Sequence, residues 1–169
     1  ATQTASGSAN LSFTSGIDST YDKYVFKFYN IHPATDGVTF EFQGSTNGGS
    51  TYGVTITSSV FQAYHQENDA GAGIQYATNN DLAQSTSFQK ITGDLGNQND
   101  ECGSGIVQLF NPSSTTFVKH FITRENGQQN NEQSVNVFAA GYFNTTSAIN
   151  AVQFKMSSGN FDGVIKLYG

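Results

Sequence analysis

Tryptophan is missing from this sequence, cysteine occurs once, and charged residues make up only 12% of it, about half the share of an average soluble domain. Each shortage removes a possibility. A lone cysteine, Cys102, cannot form an internal disulfide, so no covalent staple supports the fold, and intracellular assembly is compatible with that. Glu, Lys, Arg and Leu, which usually coat the outer faces of helices, are scarce, which argues against a helical protein. No apolar run approaches the ~20 residues needed to cross a bilayer. The start, ATQTASGSAN, has neither the basic nor the apolar region of a secretory leader, so no membrane insertion is expected. Lysine and arginine number 7 against 13 aspartates and glutamates, giving a net charge of −6 and a pI near 4.7. That balance disfavours electrostatic attraction to nucleic acid or to an anionic membrane surface.

Recognisable reaction chemistry is equally sparse. His32, His65 and His120 have no partner among themselves at metal-ligand spacing, and Cys102 has no second cysteine nearby. There is no G-x-S-x-G nucleophile elbow and no phosphate-cradling glycine loop ahead of a helix. The expectation is a non-enzymatic protein with no catalytic residue and no cofactor. Two acidic stretches hold the best site candidates: Glu67 and Asp69, then Asp94, Asp100 and Glu101. Their carboxylates are the hard oxygen donors that calcium takes, but without EF-hand spacing, and a solvated acidic face is the plainer reading. Exposed Tyr and Phe beside Asn, Asp and Gln also suit stacking on, and hydrogen bonding to, a glycan, although tryptophan, the best stacking residue, is absent. Sequons at Asn10 and Asn144 arise readily in a chain so rich in Asn, Ser and Thr and matter only in a glycosylating host.

What the sequence has in quantity is Phe (14), Tyr (8) and Gly (18), with Val and Thr, the composition of strands and turns. At 169 residues and 18.1 kDa it can bury a core of its own as one domain. The chain is organised around Tyr21 to Ser45. Tyr24, Phe26 and Phe28 alternate with Val25, Lys27 and Tyr29. Val38, Phe40 and Phe42 alternate with Thr39, Glu41 and Gln43. With Pro33 and Asp36-Gly37 between them, the pair reads as a β-hairpin whose first strand is the more buried. Residues 1–9 are small and polar and read as a flexible arm, removable without unfolding, ahead of a single domain at 10–169. Residues 66–87 and 93–104 read as long surface loops, and 124–132, nearly all Asn, Gln and Glu, as a solvated loop between strands at 117–123 and 133–142. Val152, Phe154 and Met156, then Val164 to Tyr168, close the chain inside a strand. About ten strand candidates at sandwich-like spacing predict an all-β fold: a two-sheet antiparallel β-sandwich, jelly-roll-like.

Several phrases are more specific than composition: Ser12–Tyr24 (SFTSGIDSTYDKY), Tyr29–Asp36 (YNIHPATD), Asp81–Thr86 (DLAQST), Leu109–Thr116 (LFNPSSTT), Ala140–Ala148 (AGYFNTTSA), Gln153–Asn160 (QFKMSSGN) and the ending Ile165–Gly169 (IKLYG). In them the chain resembles, from about Leu11 onward, a family of small virion structural proteins encoded by tailed bacteriophages, many from marine and cyanobacterial hosts. The resemblance implies a location on the virion, with the major capsid protein or other virion proteins as partners and self-association, a homotrimer being one form. It carries no catalytic or ligand residues to transfer. A head-decoration protein is the expectation, because no stalk, heptad or collagen-like repeat points to a fibre. A tail-fibre or receptor-binding tip gripping a host-surface glycan is the alternative within that class, and a secreted carbohydrate-binding module or adhesin the alternative outside it.

Overall fold

A computed structural model describes residues 1–169 as twelve strands with no helix: β1 (Thr2–Ser8), β2 (Asn10–Phe13), β3 (Lys23–Pro33), β4 (Phe40–Ser45), β5 (Ile56–Gln66), β6 (Ala72–Tyr76), β7 (Gln89–Lys90), β8 (Gly103–Phe110), β9 (Lys119–Gln129), β10 (Gln133–Phe143), β11 (Ala151–Met156) and β12 (Phe161–Tyr168). They form two antiparallel sheets, an eight-stranded one in the order β1-β12-β3-β8-β9-β10-β5-β6 and a four-stranded one in the order β2-β11-β4-β7. The β-sandwich expected from the strand spacing is therefore present.

The pairing shows how the chain is wound. β1 pairs with β12, β2 with β11, β3 with β8 and β4 with β7, a nested series in which the first partner climbs through the sequence while the second descends. This is the winding of an eight-stranded jelly roll, with β1-β12-β3-β8 facing β2-β11-β4-β7. The four remaining strands are two inserted hairpins, β5–β6 between β4 and β7 and β9–β10 between β8 and β11. β9 joins β8, and β10 joins β5, so the insertions widen one sheet from four strands to eight.

Strand alternation explains the core. Tyr24, Phe26 and Phe28 of β3, Val107 and Leu109 of β8, and Ile165 of β12 point inward against Phe40 and Phe42 of β4 and Phe154 of β11, all essentially without solvent access. Phe154 touches four rings, Phe13, Phe26, Phe40 and Phe42, with centroids 5.3 to 6.3 Å apart. Burial of each such ring contributes about 1.5–3 kcal/mol, with a further ~0.5–1.5 kcal/mol for a well-placed aromatic pair. A second, smaller cluster of Val60, Val135, Val137 and Ala139 lies on the inward face of the inserted hairpins.

Four expectations need correction. Tyr21 to Ser45 is not a hairpin: β3 belongs to the large sheet and β4 to the small one, so the chain crosses the sandwich at 34–39. Alternation reports which face of a strand is buried but not which sheet it joins. Nor is the first strand the more buried. β3 exposes Lys23, Lys27 and Tyr29, whereas every residue of β4 is buried. Residues 1–9 are not a free arm. Thr2, Gln3, Thr4 and Ala5 pair with β12, the terminal amine donates to the Leu167 carbonyl at 2.9 Å, and Ala5 is buried. Small polar residues suffice there because an edge strand needs only its backbone to pair. Finally, 124–132 is mostly strand. β9 and β10 run in register to Gln129 and Gln133, leaving three residues for the turn, and Glu125 and Gly127 are buried.

Candidate functional site

The two sheets treat their outer faces differently. The small sheet is roofed. Gln43, fully buried on β4, donates through Nε2 to the carbonyls of Val54, Thr86 and Ser87, and its Oε1 accepts from the Gly44 amide. One glutamine thus ties segments 51–55 and 84–88 across the sheet, which is why a polar residue there is satisfied rather than costly. Glu41, beside it, has its carboxyl pushed up by burial, partly offset by the Lys155 ammonium 3.8 Å away.

The large sheet is bare. Its outward residues include one cross-strand row, Tyr76–Phe61–Phe138–Arg124–Ile106–Lys27–Lys166, given by the register of six neighbouring strand pairs. The Phe61 and Phe138 rings lie parallel with centroids 4.8 Å apart, and the Arg124 guanidinium sits 5.1 Å from the Phe138 centroid. Lys27 and Lys166 oppose each other directly, an arrangement that repels. Each instead stacks diagonally, Lys27 over Tyr168 at 5.1 Å and Lys166 over Tyr29 at 5.5 Å, a placement favourable to a cation. Phe61 (48%), Ile122 (48%), Tyr168 (45%) and Tyr29 (39%) stay open to solvent. Between His120, Ile122 and Tyr142 the small residues Ser59 and Ala140 leave an apolar trough of about 560 Å³.

Charge divides along the same line. Lys23, Lys27, Arg124 and Lys166 lie on this face, four of the protein's 7 cations. Its strands contribute one outward carboxylate, Asp162 at the far end, whose Oδ1 accepts from the Gly7 amide at 2.7 Å. Of the other cations, Lys119 is buried, its Nζ donating to the carbonyls of Phe117 and Thr145 with burial lowering its pKa. Lys90 and Lys155 belong to strands of the small sheet. An acidic protein thus presents one broad face that is basic and aromatic.

The five acidic candidates are not brought together. Asp69 lies 3.2 Å from His65, and Glu67 accepts from Gln128 Nε2 at 2.9 Å across a shallow hollow that Asp100 also lines. Asp94 lies in a different cleft, under the inserted hairpins. Glu101 is buried, one oxygen accepting from the Gln98 amide and the other unpartnered. No group of three or more His, Cys, Asp or Glu side chains forms anywhere in the structure. The buried carboxyl that sequence reasoning missed is Glu125. It stands on the inward face of β9 beside Thr123, with neither oxygen partnered, and burial raises its pKa well above the usual carboxylate range. Only the β9–β10 register reveals it, because in the sequence it sits in a run that reads as loop.

No protein-family model matches the chain, and no curated protein matches it. A solved structure from Bacteroides ovatus, described as of unknown function, is similar over 69% of this chain and 45% of its own, with a TM-score of 0.33 and 7% identity. The chain spans less than half the length of that neighbour.

Proposed function

We propose that the protein is a non-enzymatic structural component of a tailed-phage virion, displayed on the particle surface as a head-decoration protein, with the outer face of the eight-stranded sheet as the side that meets the capsid. The observation that carries this reading is the asymmetry of the two outer faces. A decoration protein must attach over a broad area in many copies, where repetition turns weak contacts into firm ones. The large sheet offers eight strands of broad, unroofed surface with aromatic rings and stacked lysines, and the small sheet offers loops. Depletion of carboxylates makes that face complementary to an acidic partner surface. The family resemblance of the sequence phrases points the same way.

Immunogold electron microscopy of intact particles, with an antibody to this protein, tests the reading. Gold over the head is expected. Gold confined to the tail would move the protein to a fibre or tip, and unlabelled particles would remove it from the virion and favour a secreted carbohydrate-binding module. That second reading has one observation of its own, a polar cleft beneath the inserted hairpins.

A further inference from the structure

Beneath the inserted hairpins, on the side opposite the aromatic face, lies a cleft of about 460 Å³, a size found in small-ligand sites. Three distant parts of the chain build it. Gln62 of β5 and Gln75 of β6 are directly opposed in register. Gln129 closes β9, Lys90 ends β7, and Gly93 and Asp94 come from the segment that follows it. Only two of its eleven lining residues are hydrophobic, so an apolar ligand has little to gain there.

The cleft's chemistry is narrow. None of the three glutamine side chains hydrogen-bonds to another protein group, so each offers both a carbonyl acceptor and an NH2 donor. The Lys90 ammonium donates to the Asn79 carbonyl at 3.1 Å, and Asp94 is the one carboxylate in the lining, with no ion pair between the two. The site is neutral overall and rich in groups that both give and accept hydrogen bonds. A phosphate, sulfate or carboxylate would meet the Asp94 carboxylate as well as a single ammonium already donating to a carbonyl, whereas neighbouring hydroxyls of a sugar, which also give and accept, match an amide edge. Gly93 is part of the construction. A β-carbon there would lie 1.8 Å from Gln129 Nε2, so the glycine makes room for that amide.

We infer that this cleft is a binding site for an uncharged oligosaccharide, held by the amides of Gln62, Gln75 and Gln129. The cleft meets the aromatic row only at its end, Tyr76, and a protein attached through the Lys27 and Lys166 end of that face would keep the cleft available to glycans. The inference does not depend on the virion reading and can fail without it.

The test is an array of neutral gluco-, galacto- and manno-configured oligosaccharides with sialylated and sulfated counterparts, followed by calorimetric titration of the best neutral glycan. Four proteins are compared: wild type, Q62A, G93A and the outer-face variant K27E/K166E. Neutral glycans are expected to bind wild type and K27E/K166E alike, and at least tenfold more weakly to Q62A and G93A. G93A meets only the end of a flexible side chain, and Q62A removes no internal hydrogen bond, so both are expected to fold. Absence of binding to any neutral glycan, a preference for the charged counterparts, or equal binding by the cleft variants would each overturn the assignment.

Discussion

The two halves of the large sheet differ in what holds them. In β1-β12-β3-β8 the inward face packs on the small sheet through an aromatic cluster and carries almost no polar side chain. In β9-β10-β5-β6 only one end, Phe121, Phe143 and Ile56, reaches that cluster. The other end has four small aliphatic residues of its own, an unpartnered Glu125 and an amide-lined cleft. The jelly roll is packed for stability, and the insertion gives up packing for polar groups. Unpaired polar groups in a protein interior cost stability and persist where something else depends on them.

The largest effect should come from the frame. Phe154→Ala removes the ring that four others touch, and chemical denaturation should show a loss of about 3–5 kcal/mol. A loss below about 1 kcal/mol would mean that the sheets are held elsewhere. Gln43→Leu leaves three roof carbonyls without their donor and should cost about 1–3 kcal/mol. Limited proteolysis should then cut first at 51–55 or 84–88, while the large sheet stays intact. Deleting residues 1–9 should lower the melting temperature, because β12 loses one of its two pairing partners and Ala5 leaves the core; an unchanged melting temperature would restore the free arm.

Glu125 sharpens the contrast from the insertion's side. Its folded pKa lies above its unfolded one, so between the two the folded state holds a proton that the unfolded state has released. Stability from this group is complete below the ordinary carboxylate range and falls as pH rises, by up to about 1.4 kcal/mol per pH unit, until the folded pKa is passed. Denaturation across pH should show a steeper fall for wild type than for E125Q, which keeps only the share of Glu41, whose carboxyl burial also pushes up. The smallest effect on stability belongs to K27E/K166E, an exposed change expected to stay within about 0.5–1 kcal/mol, while attachment to particles falls at least tenfold.

The sequence reveals faces better than neighbours. Phe26 and Phe28, Phe40 and Phe42, and Val152, Phe154 and Met156 all turn inward as their alternation predicts, and β9 pairs with β10 as expected, though through a much shorter turn. Sheet membership is not written locally. β3 and β4 look like a hairpin because the signals for a tight return and for a crossing between sheets are the same Pro and Gly residues. β1 and the far end of β9 are hidden for the opposite reason, since backbone pairing orders residues whose side chains carry no pattern. The aromatic–basic row is legible in part, as Val25, Lys27 and Tyr29 opposite the buried rings. The cleft is not, because Gln62, Gln75 and Gln129 meet only after two inserted hairpins pair with each other.

Lysine acylation of the free and the particle-bound protein, read by mass spectrometry, tests the proposed attachment face most directly, because cations on both sides of the molecule report at once. Lys23, Lys27 and Lys166 should lose reactivity on particles while Lys90 and Lys155 keep theirs. Protection of Lys90 and Lys155 with Lys27 and Lys166 still reactive would contradict it and place the contact on the roofed side.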